Sequence, residues 1–397
     1  MTLLVASLGY FVDIFDLTLF SIVRIPSLAS LGVLPEDALA VGARILNIQQ
    51  AGLLIGGLAW GMLGDRRGRV EVLFGSILLY SIATIASGLA HSVPVYGATR
   101  FAAGLGLAAE LGAAVTLVGE TLGTRHRGWG TALVGATGLL GAVAASLMAV
   151  NIDWRTCYLI GGGMGLLLLF GRLSVRESGV FRALTGKPGI GRGDLVLLFS
   201  SPRRAGRYLL CVMAGLPICA SIGVLVYFSP ELARSAGTTG AVSAGTAIMF
   251  AYTGMSLGDL LCAGLSQALG SRRGAAGIFM AVLAGTAAVF TASPGLTPFH
   301  VYWLCGVLGL ASGYWIILVT SASEQFGTNL RATVTTSVPN IVRGLNGPLA
   351  LAFSGLAGAI GASFAAGLIA GICVIAGLAA ILAMKESFGK DLRYTEK

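Results

Sequence analysis

An all-α membrane protein of twelve transmembrane helices, in two pseudo-symmetric six-helix bundles, is the fold class that three observations predict. The first is composition. Of 397 residues, 55% are hydrophobic and 11% charged, with a mean hydropathy of +0.85. Soluble domains carry about 25% charge, so this chain has too little to cover a water-facing surface. The second is pattern: the apolar runs are span-length and do not alternate with period two, which selects helices over a barrel. The third is division. One long polar stretch, about Ser174 to Arg204, separates six apolar runs from six more. The 59 glycines have no three-residue period, which excludes collagen, and the hydropathy excludes disorder.

The spans run, in order, over about 3–23, 42–63, 71–91, 94–120, 129–151 and 155–173, then 206–229, 242–266, 274–293, 299–322, 331–356 and 360–384. Residues 1–173 form the first bundle, 174–204 a cytoplasmic linker and 205–397 the second bundle. The linker holds Arg176, Glu177, Arg182, Lys187, Arg192, Asp194, Arg203 and Arg204, and part of it suits an amphipathic helix on the membrane surface. Small residues let membrane helices approach closely, and Gly52, Gly56 and Gly57, like Gly135, Gly138 and Gly141, stand at such spacings. Glu120 to Arg127 and Glu324 to Arg331 both read E-x-x-G-T-x-x-R, 204 residues apart. Duplication of a six-span unit predicts such a repeat, and transporters are often built that way.

The net charge is +9. About 20 of the 26 Lys and Arg fall on one side of the spans and about four on the other. The basic side is therefore cytoplasmic, with the C-terminus there, in a bacterial inner membrane, and nucleic acid is not needed as a partner. The six cysteines lie in or beside apolar runs without a CxxC pair, so neither zinc nor a disulfide frame is indicated. The three histidines fall near span ends and form no ligand cluster, so no metal or other cofactor is expected. The first apolar run is too long and too acidic for a cleavable signal. Met1 leads almost directly into it, which leaves the true start open.

Charge inside a span costs of order 2.5–3.5 kcal/mol on insertion scales, so the few intramembrane charges are the functional candidates. Asp13 and Asp16 are spaced i, i+3 on one face of the first span. Asp13 stands roughly 15 Å deep, near the midplane. Two carboxylates away from water hold a shared proton well. Arg100 and Glu110 lie in the fourth span, Asp259 in the eighth. Asn340, Arg343 and Asn346, at i, i+3 and i+6 in the eleventh, are candidate substrate groups, and so is Arg100, which with Arg343 could offset an anion's charge. Arg343 reads either as a ligand for an anion or as a structural partner of Asp259 or Glu324. Tyr227, Tyr252, Tyr314 and Trp315 are candidate cavity walls, with packing as the competing role.

The loop after the second span reads Gly61-Met-Leu-Gly64-Asp65-Arg66-Arg67-Gly68-Arg69. It closely resembles the G-x-L-x-D-R-x-G-R signature of the major facilitator superfamily. Asp65 can accept charge-assisted bonds from arginines, and Gly68 permits a tight turn. The resemblance implies the major facilitator fold. It also implies a cytoplasmic gate at Gly61, Asp65, Arg66, Gly68 and Arg69, joined by Glu120, Arg127, Glu324 and Arg331, that clasps the halves in the outward-open state. In the second-half counterpart Gln267 stands where the superfamily usually has Asp, which puts a symmetric clasp in doubt.

The acid pair of the first span, with Tyr10, Phe11 and Phe15 around it, is similar to the metabolite–proton and aromatic-acid symporter branches. The Arg100-Phe-Ala-Ala-Gly104-Leu-Gly106 stretch resembles the sugar–proton symporter motif whose arginine pairs with a first-span Asp. By that resemblance Arg100 pairs with Asp16, or with Asp13, as the proton-coupling pair, and Glu110 is a further proton or substrate group. A close arginine lowers the carboxyl's proton affinity and separation restores it.

The function expected is secondary active transport of a small organic solute, an organic anion by preference, by proton-coupled alternating access, with monomer as the working unit. The alternatives are an exporter of a drug, siderophore or other metabolite, and a neutral-sugar symporter. The fifth span lacks the G-x-x-x-G-P pattern of drug–proton antiporters, which counts against multidrug export. A membrane enzyme would need a reactive constellation such as Ser/His/Asp or HExxH, and none appears. A receptor or scaffold on the same bundle differs from a transporter in passing no solute.

Overall fold

The computed structural model describes residues 2–34, 37–122, 127–172, 195–390 and 394–396. Among them, twelve helical stretches are long enough to cross a bilayer. In the first half these are α1 (Thr2–Ser30), α2 (Ala38–Arg67), α3 (Arg69–Gly88), α4 (Val93–Leu107 and Glu110–Thr121), α5 (Arg127–Asn151) and α6 (Trp154–Arg172). In the second they are α7 (Pro202–Met213, Leu216–Ile218 and a π-helical Cys219–Val226), α8 (Ala244–Leu269) and α9 (Arg272–Ala292). Then follow α10 (Pro298–Ser312 and Trp315–Gln325), α11 (Arg331–Gly344 and Asn346–Ile360) and α12 (Ala362–Ala383). The linker expected over 174–204 lies outside the described residues up to 194. Its remainder is a short helix, Leu195–Phe199, and the start of α7 at Pro202, three residues before the expected boundary.

Nine of the twelve are long and apolar enough to be membrane spans by composition, and α2, α6 and α11 are the less apolar three. Position explains two of them. α2 carries Asn47, Gln49 and Gln50, α11 carries Asn340, Arg343 and Asn346, and these helices face each other across the seam between halves. Most helices extend beyond the expected spans. α1 was expected over 3–23 and runs on through Pro26 to Ser30.

Small residues set the tightest contacts. A Cβ at Gly52 or Gly56 would strike the α4 backbone at Phe101 and Leu105, and one at Gly254 or Gly258 would strike the α10 backbone at Gly306 and Leu310. The α2–α4 and α8–α10 packings are therefore repeats of one another. Gly138 and Gly141 admit Tyr10 and the Phe11 backbone of α1 in the same way. Gly68, between α2 and α3, sits at φ 116°, where a side chain would be strained.

Both α4 and α10 break, at Ala108–Ala109 and at Gly313–Tyr314, close to 204 residues apart. A break frees backbone groups that must find partners away from water. In α4, Trp60 Nε1 donates to Leu105 O at 2.7 Å and Asn340 Nδ2 to Ala108 O at 2.7 Å. In α10, Asp259 Oδ1 accepts from Ile316 N at 3.2 Å.

Candidate functional site

Asp16 and Arg100 meet inside the first half. Arg100 Nη1 donates to Asp16 Oδ1 at 3.1 Å, with both side chains buried. Every other group around them is matched as well. Thr84 donates to Asp16 Oδ2 at 2.6 Å, Arg100 Nε donates to Ser87 Oγ at 2.9 Å, and the guanidinium lies 4.6 Å from the Tyr158 ring centre. Tyr158 and Tyr96 share a hydrogen bond at 2.7 Å. Buried ions are tolerated in this way, paired and hydrogen-bonded.

Asp13, one helical turn away, is placed differently. It is fully buried, and neither carboxyl oxygen has a hydrogen-bond partner among the described residues. The nearest cation is Arg343 from α11, Nη1 to Oδ2 at 3.9 Å. Arg343 Nη2 instead donates to Tyr10 OH at 3.0 Å, which also accepts from Trp315 Nε1 at 3.3 Å. The guanidinium stands 5.5 Å from the Trp315 ring centre and 5.9 Å from that of Tyr10. Sequence reasoning offered Asp259 or Glu324 as structural partners of Arg343, and neither fills that place. Asp259 caps the second segment of α10, and Glu324 pairs with Arg272 at 3.4 Å and accepts from Ser387 at 2.8 Å.

Arg343 opens onto a cavity of about 60 Å³ between the halves, walled by Tyr10, Leu139, Tyr227, Tyr252, Trp315 and Asn346. Gln50, Ser21, Leu46, Tyr227 and Asn346 also border a second space of about 200 Å³ that leads past Arg24 and Asn47 to exposed Glu231 and Ser354. Tyr227 and Tyr252 touch through their hydroxyls at 3.3 Å. Asn346 begins the second segment of α11, against Gly223 of the π-helical stretch, and its Oδ1 has no partner among the described residues. The π-helix places Cys219 and Ile222 on the same wall.

Two expected positions differ. Asn340, a candidate substrate group, does not border the cavity. Its amide donates to Ala108 O and Thr336 O, both at 2.7 Å, and so ties α11 to the break in α4. Tyr314 turns away to donate to Ala214 O at 3.0 Å, whereas Trp315 borders the cavity. Glu110 is fully buried at the first turn of the second α4 segment, where a carboxylate suits the helix dipole. Tyr10 and Gln50 were missed as cavity residues. Tyr10 stood among the aromatics quoted around the acid pair, and its i, i+3 spacing to Asp13 was the available signal.

On the Asp65 side the halves are clasped. Asp65 accepts from Ala332 N at 3.0 Å, Thr333 N at 2.8 Å and Thr333 Oγ1 at 2.7 Å. Arginines were expected as its donors. Two of these donors are first-turn N–H groups of α11, which lack intrahelical partners and carry the positive end of the helix dipole, and the Arg69 side chain lies outside the described residues. Gly61 packs on Thr333 with no room for a Cβ. Arg66 is exposed, while Arg331 is buried and donates to Ser323 O at 3.1 Å. The side chains of Arg69, Glu120 and Arg127, and the stretch Gly123–His126, lie outside the described residues. Gln267 faces Gly128 at the start of α5, and its Nε2 has no partner among the described residues. Further cross-links between halves run from Thr320 to Thr131 at 3.1 Å and from Ser256 to Ala136 O at 2.7 Å.

Among the described residues no group of three or more His, Cys, Asp or Glu could hold a metal ion. What the arrangement offers is a guanidinium in an aromatic-walled cavity, a carboxyl without bonds behind it, and two halves closed on one side only. Two helical halves around a central site with one-sided access are an architecture that membrane transporters use.

The chain belongs to the major facilitator superfamily, whose family model matches residues 6–351. It is 30% identical over 339 residues to the 3-(3-hydroxy-phenyl)propionate transporter of Escherichia coli (strain K12), covering 81% of each chain. It is 28% identical over 337 residues to the cis,cis-muconate transport protein of Acinetobacter baylyi, covering 79% of this chain and 78% of that one. Among solved structures, the proton:xylose symporter XylE bound to 6-bromo-6-deoxy-D-glucose superposes with a TM-score of 0.77 at 18% identity, covering 99% of this chain and 97% of that one. The protein is thus a multi-pass membrane transporter with a small-molecule substrate.

Proposed function

We propose that this transporter carries a small organic acid, of the size and charge of an aromatic or dienoic carboxylate, together with protons across a bacterial inner membrane. The observation that carries the reading is Arg343: a partly buried guanidinium that borders an aromatic-walled cavity, with a carboxyl behind it that has no hydrogen bond among the described residues. Two relatives named for such acids, one for hydroxyphenylpropionate and one for muconate, support the substrate class.

The coupling follows from competition for one cation. With the cavity empty, Arg343 is the nearest counter-charge for Asp13. A substrate carboxylate that takes the guanidinium in a bidentate bond removes that counter-charge. A carboxylate left alone at this depth is costly, so Asp13 takes up a proton. Anion and proton are then bound together, and the loaded site is closer to neutral when the halves rock. Asp16 has its own arginine and two hydroxyl-rich neighbours, so it holds α1 to α3 and α4 while Asp13 titrates. The charge rule makes the clasped Asp65 side cytoplasmic, so this conformation faces outward and is ready to load. The working unit is the monomer, since the site lies between two halves of one chain.

The test is uptake into liposomes. Purified protein should accumulate labelled 3-(3-hydroxyphenyl)propionate when the outside is acid, and a protonophore should abolish the gradient. Transport of a neutral sugar with no flux of any carboxylate would overturn the reading.

A further inference from the structure

Away from the central cavity, on the Asp65 side, a groove of about 750 Å³ lies between the start of α7 and the end of α12. Its walls carry Arg203, Arg207, Lys385 and Lys390 against one acid, Glu386. That acid is already engaged. It accepts from Ser271 Oγ and from the backbone N–H groups of Arg272, Ser387 and Phe388, so it caps α9 and makes no ion pair with the groove cations among the described residues. Arg207 is paired with Glu396 at 3.0 Å. The side chains of Arg203 and Lys385 are exposed and make no ion pair or hydrogen bond among the described residues. Burial first, and then the neighbouring Arg207 and Arg331, partly offset by Glu396 and Glu324, hold the Lys390 ammonium below the ordinary lysine range.

The position narrows the ligand. The groove sits where two spans leave the membrane. Leu210 and Ala383 line its apolar end, and the outward faces of the same helices show Leu209 at 57% and Leu382 at 71% exposure. A ligand filling it has an anionic group among the cations and a hydrocarbon part running down between α7 and α12. Basic pockets at the cytoplasmic ends of spans suit phospholipid headgroups.

We infer that this groove binds the phosphate group of an anionic phospholipid, with Arg203 and Lys385 as the free cations that meet it and the α7–α12 surface taking the chains. It would tie the start of the second bundle to the membrane surface, independently of what the transporter carries.

The experiment is thermal unfolding of the detergent-purified full-length chain titrated with dioctanoyl phosphatidylglycerol, dioctanoyl phosphatidylcholine or inorganic phosphate. The phosphatidylglycerol should raise Tm in a saturable way that weakens with added salt, while the other two leave it within about 1 °C. Arg203→Gln with Lys385→Gln should keep the lipid-free Tm and raise the half-saturating lipid concentration about tenfold. Each single variant should give a smaller part of that, which keeps the test readable if the double variant is unstable. An equal shift from phosphatidylcholine or from inorganic phosphate would overturn the inference. So would an unchanged titration in the variants.

Discussion

Asp13 and Asp16 stand one turn apart on α1, and their surroundings could hardly differ more. Asp16 has a guanidinium at 3.1 Å and a threonine hydroxyl at 2.6 Å. Asp13 has no hydrogen bond among the described residues, and the cation it meets there, Arg343, is 3.9 Å away on the other half of the molecule. The partners of Asp16 come from α3 and α4, in the same half of the chain as α1. The counter-charge of Asp13 comes from α11, so it changes whenever the halves move. A bond within a bundle can hold through the transport cycle, and a bond between bundles cannot. Under the proposed mechanism, the difference gives stability to one acid and exchange to the other.

The largest effect that tests this contrast is on folding. Arg100→Ala leaves Asp16 buried and uncompensated, and removing one partner of a buried pair costs about 3–5 kcal/mol. The variant should unfold at much lower temperature in detergent, and Asp16→Asn added to it should recover part of the loss. If Arg100→Ala has wild-type stability, the pair is no lock.

Next is coupling. Asp13→Asn breaks no hydrogen bond, so its Tm should stay near wild type. Its pH-driven accumulation should fall about tenfold or more, while counterflow of the substrate continues. Asp16→Asn should do the reverse, with stability falling before coupling. Retained accumulation in Asp13→Asn would move the proton elsewhere. Arg343→Ala should then raise KM about tenfold for a carboxylate, the equivalent of ~1.4 kcal/mol, and much less for a neutral analogue. Equal effects on both would make Arg343 structural.

How much of this was legible in the sequence depends on whether partners share a helix, a bundle or a seam. The helical stretches were legible as apolar runs, nine of them apolar enough to span by composition, because the bilayer imposes length and composition on each helix separately. The pairing of Arg100 with Asp16 was within reach because both lie in one bundle and resemble a known motif. The acid pair of α1 was legible as costly charge, but its division of labour was not. That depends on Arg343 crossing from α11, and a one-dimensional reading has no rotation angle for that helix. The same limit explains Asn340, which looks like a cavity group by spacing with Arg343 and Asn346. The break in α4 turns a carbonyl toward it instead. Asp259 read as a charge seeking a cation, whereas the break in α10 supplies an N–H. Helix breaks free polar backbone, and polar side chains that look functional are recruited to satisfy it.

The smallest expected effects separate the two acids most finely, because they remove single hydroxyls. Thr84→Val keeps the shape and deletes the donor to Asp16, so it should cost about 1 kcal/mol of stability and leave KM unchanged. Tyr10→Phe deletes the hydroxyl that accepts from both Arg343 and Trp315. Freed from Tyr10, Arg343 has the Asp13 carboxylate as its nearest acceptor, which stabilises the deprotonated form. Proton uptake then needs a lower outside pH, so the midpoint of the uptake–pH profile should move to the acid side, with little change in Tm. A Tyr10→Phe profile that superposes on wild type would mean that Arg343 does not divide its bonding between Tyr10 and Asp13, and the division of roles on α1 would lose its mechanism.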